Sequence, residues 1–236
     1  MKLLLLLLGS LKFGKLLASA GSMLLTIGVY ALLYGWAFAA GFVGLILVHE
    51  MGHYLAARRR GLDVGLPTFI PFVGAWIQLK QLPHDAETEA YVGLAGPLVG
   101  SLGALACFYA ARSFGSQLLL ALSYSGFFLN LFNLIPLAPF DGGRITAAIS
   151  PRIWLVGVPA LVALFFYRPS PLLILMAVLA LPYVMKAWRG PQTEADRAYY
   201  SVPAETRVVY AAVYLGLAAF LALMCAELKA ELPGHS

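Results

Sequence analysis

The feature that most constrains this chain is a succession of apolar runs, each approaching the roughly 20 residues that a helix needs to cross a hydrocarbon core. They extend from Leu16 to Gly35, Ala37 to Ala57, Tyr91 to Ala111, Leu118 to Leu137, Ile153 to Tyr167, Leu172 to Met185 and Val208 to Ala226. Lipid offers no partner to a bare peptide group, so each run satisfies its own backbone as a helix. Composition agrees: 61% of the 236 residues are hydrophobic, 11% are charged and the mean hydropathy is +0.83. A soluble domain carries about 25% charged residues. The expected fold class is an all-α polytopic membrane protein with about six to seven transmembrane helices. The fifth and sixth runs are short, and read either as a tilted pair or as a re-entrant hairpin; both return the chain to the same side.

The net charge of +5 does not indicate nucleic acid, because the basic residues sit at the ends of apolar runs, where anionic headgroups lie. With alternating spans, one side receives every Lys and Arg except Arg112, Arg168 and Lys229. That side is expected to be cytoplasmic. The ends of the second and fourth runs open toward it. Met1-Lys2 followed by Leu3 to Leu8 resembles a cleavable leader, but Lys12 and Lys15 interrupt the apolar stretch, so an interfacial helix leading into the first span is expected instead. Cys107 and Cys225 lie in apolar runs without metal-type spacing and indicate no disulfide framework.

Three regions are expected: residues 1–35, an interfacial helix and first span; residues 36–150, a membrane core; and residues 151–236, carboxyl-terminal spans with a cytoplasmic loop from Arg189 to Arg207. Between the second and third spans, Thr68 to Ile77 is rich in aromatic and β-branched residues and broken by Pro71 and Gly74. A short membrane-associated β-hairpin or extended loop is expected there. In the third span, Gly96, Gly100 and Ala104 put small residues on one helical face for close packing.

His49-Glu50-Met51-Gly52-His53 is an HExxH motif. On a helix the two imidazoles, four residues apart, project from one face toward a common point, and Glu50 lies beside that point. Zinc suits two neutral imidazoles, and the apolar run Phe42 to Val48 places the motif in a membrane helix. A catalytic site needs a third protein ligand. Asp141 is the candidate: Pro136 and Pro139 end the fourth span before it, and Gly142-Gly143 follow it. Taken alone, Asp141 would be the N-cap of a short helix from Gly142 to Ile149; beside an HExxH lacking its third ligand, it is assigned to the metal. His84 reads as a solvated loop histidine, and Asn130 as a partner in an interhelical hydrogen bond.

His49 to His53, taken with Asn133-Leu134-Ile135-Pro136-Leu137-Ala138-Pro139-Phe140-Asp141-Gly142-Gly143-Arg144, resembles the site-2 protease family of intramembrane zinc metalloproteases. Ala95-Gly96-Pro97 also resembles that family's core. The resemblance covers Ala37 to Ser150 and implies one zinc ion per chain held by His49, His53 and Asp141, with Glu50 as the base. It also implies that Asn133 holds the substrate backbone and that Phe69 to Leu79 is a membrane-inserted loop beside the site. The implied activity is hydrolysis of peptide bonds in or near transmembrane segments of membrane-tethered proteins, such as an anti-sigma factor, in regulated proteolytic signalling. The implied location is a bacterial plasma membrane, with the site toward the cytoplasm. No loop is long enough to hold the peptide-binding PDZ domain that many bacterial relatives carry. Two other classes accommodate part of the pattern: a metal transporter, which gives Glu50 no role, and a catalytically silent scaffold that binds membrane helices.

Overall fold

A computed structural model describes residues 2–79, 83–167 and 169–232. Lys80 and Arg168, both counted in the charge balance, lie outside the described residues, as do the side chains of Lys2 and Lys12. The order of elements is α1 (Lys2–Tyr34), α2 (Trp36–Arg59), β1 (Val64–Ile70), β2 (Gly74–Leu79), α3 (Ala86–Phe114), α4 (Gln117–Asn133), α5 (Asp141–Ile149), a 3-10 turn (Pro151–Ile153), α6 (Trp154–Tyr167), α7 (Pro171–Arg189), α8 (Glu194–Tyr199) and α9 (Ala204–Glu231). Five helices among the described residues are long and apolar enough to cross a membrane: α1 from Gly14, α2, α3, α7 and α9. The 17-residue α4 and the segment Pro151–Tyr167 are shorter. The chain is thus an all-α membrane protein with one two-stranded antiparallel hairpin.

Helix α3 is the centre of the bundle, packed between α2 and α4 and also touching α5 and α9. Its partners approach closely because the facing residues are small: a side chain at Gly52 of α2 would collide with the Ala95 carbonyl of α3. In lipid, where apolar burial drives little association, such backbone approach supplies the packing energy. The outward faces remain apolar, with Leu32, Trp36, Leu102, Phe166, Val208 and Leu215 each more than half exposed. For a soluble domain so many exposed apolar side chains would be a liability; for helices facing lipid they are the expected surface.

The hairpin is held by α1. Ser19 donates its hydroxyl hydrogen to the Pro67 carbonyl (2.5 Å), Ser22 Oγ accepts from the Phe69 N–H (3.1 Å), and the Tyr30 hydroxyl oxygen accepts from the Phe72 N–H (3.0 Å). These polar residues of an apolar helix satisfy backbone groups that a two-stranded sheet leaves bare. The strands pair with Thr68 opposite Trp76 and Ile70 opposite Gly74.

Two local readings change. The polar segment after Arg189 is not wholly loop: Thr193 caps α8 by accepting from the Asp196 N–H (3.0 Å). Helix α8 is tied to the start of α3 by a 2.6 Å hydrogen bond from the Tyr199 hydroxyl to Glu89, and burial followed by the Glu89 carboxylate keeps that phenol protonated well above the ordinary tyrosine range. The short helix α5 begins at Asp141 itself, with Phe140 at the N-cap and no side-chain cap. The Asp141 carboxylate is therefore not spent on capping.

Candidate metal centre

Helix α2 carries His49, Glu50 and His53 on its buried face, and all three are less than a tenth exposed. Asp141 reaches them from the first turn of α5 and is equally buried. Its Oδ2 lies 3.2 Å from His49 Nε2 and 3.2 Å from His53 Nε2, and the two Nε2 atoms are 3.1 Å apart. Candidate ligand atoms of His49, Glu50 and His53 all fall within 4.8 Å of one another.

The outer nitrogens of the two rings decide what the inner ones can do. His53 Nδ1 is 2.8 Å from the Val92 carbonyl, which can only accept, so Nδ1 carries the proton. His49 Nδ1 is 2.8 Å from Asn130 Oδ1, and the Asn130 amide is oriented by donation from its Nδ2 to the Gly126 carbonyl (2.7 Å). His49 Nδ1 therefore donates as well. In their neutral tautomers both rings turn a bare Nε2 lone pair toward the Asp141 carboxylate, and three acceptors crowd into a buried space without a donor among them. A cation relieves that repulsion. Donors held tetrahedrally about 2.0–2.1 Å from zinc lie about 3.3 Å from each other, close to the separations found here, so the residues present fit a zinc ion.

Gly96 and Gly100 explain why the small-residue face of α3 is necessary here. A Cβ at Gly96 would strike the His53 imidazole, and one at Gly100 would strike the Asn130 amide. The expected packing stripe thus forms the wall against which one candidate ligand and the partner of the other are set. Asn130, read from sequence as an interhelical hydrogen bonder, does bridge α4 to α2, but its acceptor faces a candidate ligand. No local signal distinguishes that from ordinary packing.

The start of α5 and the loop leading to it are braced at two further points missed by sequence reasoning. Trp154 Nε1 donates to the Gly143 carbonyl (2.8 Å), and the Tyr214 hydroxyl of α9 donates to the Leu134 carbonyl (2.6 Å). The first fixes the opening turn of α5 and the second satisfies a carbonyl at the end of α4, where the chain leaves regular structure.

A cavity of about 730 Å³ opens from this centre. His49, Glu50, His53, Asp141 and Asn133 line its polar end, and aromatic rings including Tyr30, Phe42, Trp76 and Phe128 line the rest. Asn133 back-bonds through Nδ2 to the Leu129 carbonyl (3.0 Å), leaving Oδ1 and one amide hydrogen toward the cavity. Arg144, to which the sequence reading gave no role in the site, lines the same cavity. The hairpin contributes Ile70, Phe72 and Ala75 as well as Trp76. His84 is exposed in the turn before α3 and has no place in the cluster. Cys107 and Cys225 are free thiols.

A buried donor set of this kind inside apolar helices suits a membrane metal centre, and known proteins share the stretch that carries it. Residues 37–125 match Peptidase family M50. Curated proteins that match the same part of the chain are named zinc metalloproteases. A protein named zinc metalloprotease MJ0392 from Methanocaldococcus jannaschii is 35% identical over 113 residues, 46% of this chain and 32% of that protein. The putative zinc metalloprotease Rip3 of Mycobacterium tuberculosis is 33% identical over 138 residues, 52% of this chain and 34% of the relative. The aligned region thus spans about a third of the length of these curated relatives. A solved site-2 protease from Methanocaldococcus jannaschii aligns with a TM-score of 0.47 and 22% identity, covering 77% of this chain and 87% of that one.

Proposed function

We propose that this chain is an intramembrane zinc metalloprotease that hydrolyses peptide bonds in or near transmembrane segments of membrane-tethered proteins. The observation that supports this reading is the convergence of two bare imidazole nitrogens and one carboxylate oxygen within 3.2 Å, beside the buried Glu50. His49, His53 and Asp141 would hold the ion. When bound, zinc supplies Lewis acidity toward water and toward the scissile carbonyl.

The chain's own groups have the remaining roles. Glu50 takes the proton of the attacking water and returns it to the leaving amine. The apolar cavity receives a substrate segment whose helix has opened, since an intact helix keeps its carbonyls in its own hydrogen bonds. Asn133 offers an acceptor and a donor to that extended backbone. The charge asymmetry supports a centre toward the cytoplasmic side, and a bacterial plasma membrane is the location in this reading. A membrane-tethered regulator, such as an anti-sigma factor, is the substrate class, and regulated proteolytic signalling the setting.

The direct test incubates the purified chain with a single-span membrane substrate in proteoliposomes. Cleavage is expected to disappear after zinc chelation and to return when zinc is restored; persistent cleavage in metal-free protein would rule out the assignment.

Asn130 is a positioning residue in this scheme. By accepting from Nδ1 it keeps the His49 lone pair on Nε2, and loss of such an outer-shell partner costs about 10–100-fold in metal affinity. Asn130→Ala is expected to weaken zinc binding by that factor in a chelator competition, with Asn130→Asp recovering most of it. Equal zinc affinity in wild type and Asn130→Ala would reduce Asn130 to a packing residue.

A further inference from the structure

A second cavity of about 330 Å³ lies away from the metal centre, where the 3-10 turn, the end of α7, the end of α8 and the start of α9 meet. Three arginines line it, Arg152, Arg197 and Arg207, together with the hydroxyls of Ser150 and Ser201. No carboxylate is among its lining residues. Among the described residues, none lies within ion-pair distance of these arginines.

The three cations are not equivalent. Arg207 is anchored: its guanidinium donates to the carbonyls of Ile149 (2.7 Å), Tyr200 (3.0 Å) and Val202 (2.9 Å). Carbonyl dipoles fix its position but leave the full positive charge in place, and two of its five N–H groups stay unspent. The side chains of Arg152 and Arg197 are exposed and make no described hydrogen bond or ion pair. Asp196, next to Arg197 in the chain, is engaged by Lys186 (2.9 Å) and by the Thr193 hydroxyl (3.0 Å). A concave site with one fixed guanidinium, two adaptable ones and two hydroxyls is arranged for a tetrahedral oxyanion.

Position selects the source of that anion. The pocket lies at the end of α7, whose preceding turns expose Leu181, Met185 and Trp188 by 56%, 51% and 81%. Apolar side chains that give way, within the last turn, to Lys186, the exposed Trp188 and Arg189 trace the passage from acyl chains to headgroups. A phosphate bound here would have hydrocarbon beside it along α7. We propose that this pocket binds the phosphate of an anionic phospholipid headgroup, with Arg207 as the fixed contact and Arg152 and Arg197 closing over it.

The test uses the full chain, purified in detergent and delipidated, with binding read by native mass spectrometry. The probes are phosphatidylglycerol, phosphatidylcholine and inorganic phosphate. Phosphatidylglycerol is expected to bind in preference to phosphatidylcholine, and the paired change Arg152→Gln with Arg197→Gln should weaken it roughly tenfold or more, since each basic group near an anionic lipid contributes substantially. Arg207 is left intact because it also holds three main-chain carbonyls. Arg189→Gln, a nearby basic side chain outside the pocket, is expected to change little. Equal loss in Arg189→Gln would mean diffuse surface charge and overturn the site. Equal binding of the two lipids would overturn it as well. Inorganic phosphate binding that vanishes in the double variant, without phosphatidylglycerol selectivity, would overturn the lipid assignment in favour of free phosphate.

Discussion

Glu50→Gln is expected to keep zinc in place while lowering cleavage of a membrane-embedded substrate by about 10²–10⁴-fold, the contribution typical of a general base. The two side chains are nearly isosteric, and the neutral amide cannot accept the proton of the attacking water. His49 and His53 keep their hydrogen bonds to Asn130 and the Val92 carbonyl, and Asp141 keeps its place beside them, since Glu50 takes part in none of these contacts. Zinc content by elemental analysis and fragment yield by mass spectrometry give the two readouts. Retained zinc with undiminished cleavage would remove Glu50 from the reaction. The same variant separates the rival classes: a transporter would move zinc into proteoliposomes with or without Glu50, and a scaffold would bind a membrane helix without cutting it.

Asp141→Ala should act on the metal first. It leaves two imidazole nitrogens facing each other without the carboxylate that both approach at 3.2 Å. Loss of a direct ligand is expected to exceed the about 10–100-fold cost of losing an outer-shell partner, and activity should fall with occupancy. The fold should change little, because Phe140 occupies the N-cap of α5 and no side chain caps that helix. An acidic residue in the first turn adds only about 0.3–1 kcal/mol through the helix dipole. Zinc retained after dialysis against a chelator, read beside the thermal midpoint, distinguishes the outcomes. Full occupancy and full activity in Asp141→Ala would show that Asp141 is no ligand.

Much of the architecture is written in local pattern. A helix in lipid needs only a run of apolar residues, so α2, α3, α7 and α9 follow from composition alone. The hairpin was legible because Thr68 to Ile77 combines β-branched and aromatic residues with Pro71 and Gly74. Helix α8 was hidden by its length: six residues carry too little periodicity to stand out in a polar segment. The sequence reading assigned Asn130 to an interhelical bond and gave Arg144 no role in the site. Their places beside the centre depend on the rotation of α4 and α5 about α3, to which a single helix's pattern is blind.

The amino-acid order by itself determined that this protein lives in a membrane and that His49, Glu50 and His53 share one stretch of helix, because both properties arise within a few turns of contiguous chain. Only the tertiary structure decided that Asp141, 88 residues beyond His53, meets both imidazoles, and that Asn130 and the Val92 carbonyl turn their Nε2 lone pairs inward. Those contacts exist because Gly96 and Gly100 let distant helices approach to touching distance, and such an approach is a property of packed surfaces in three dimensions.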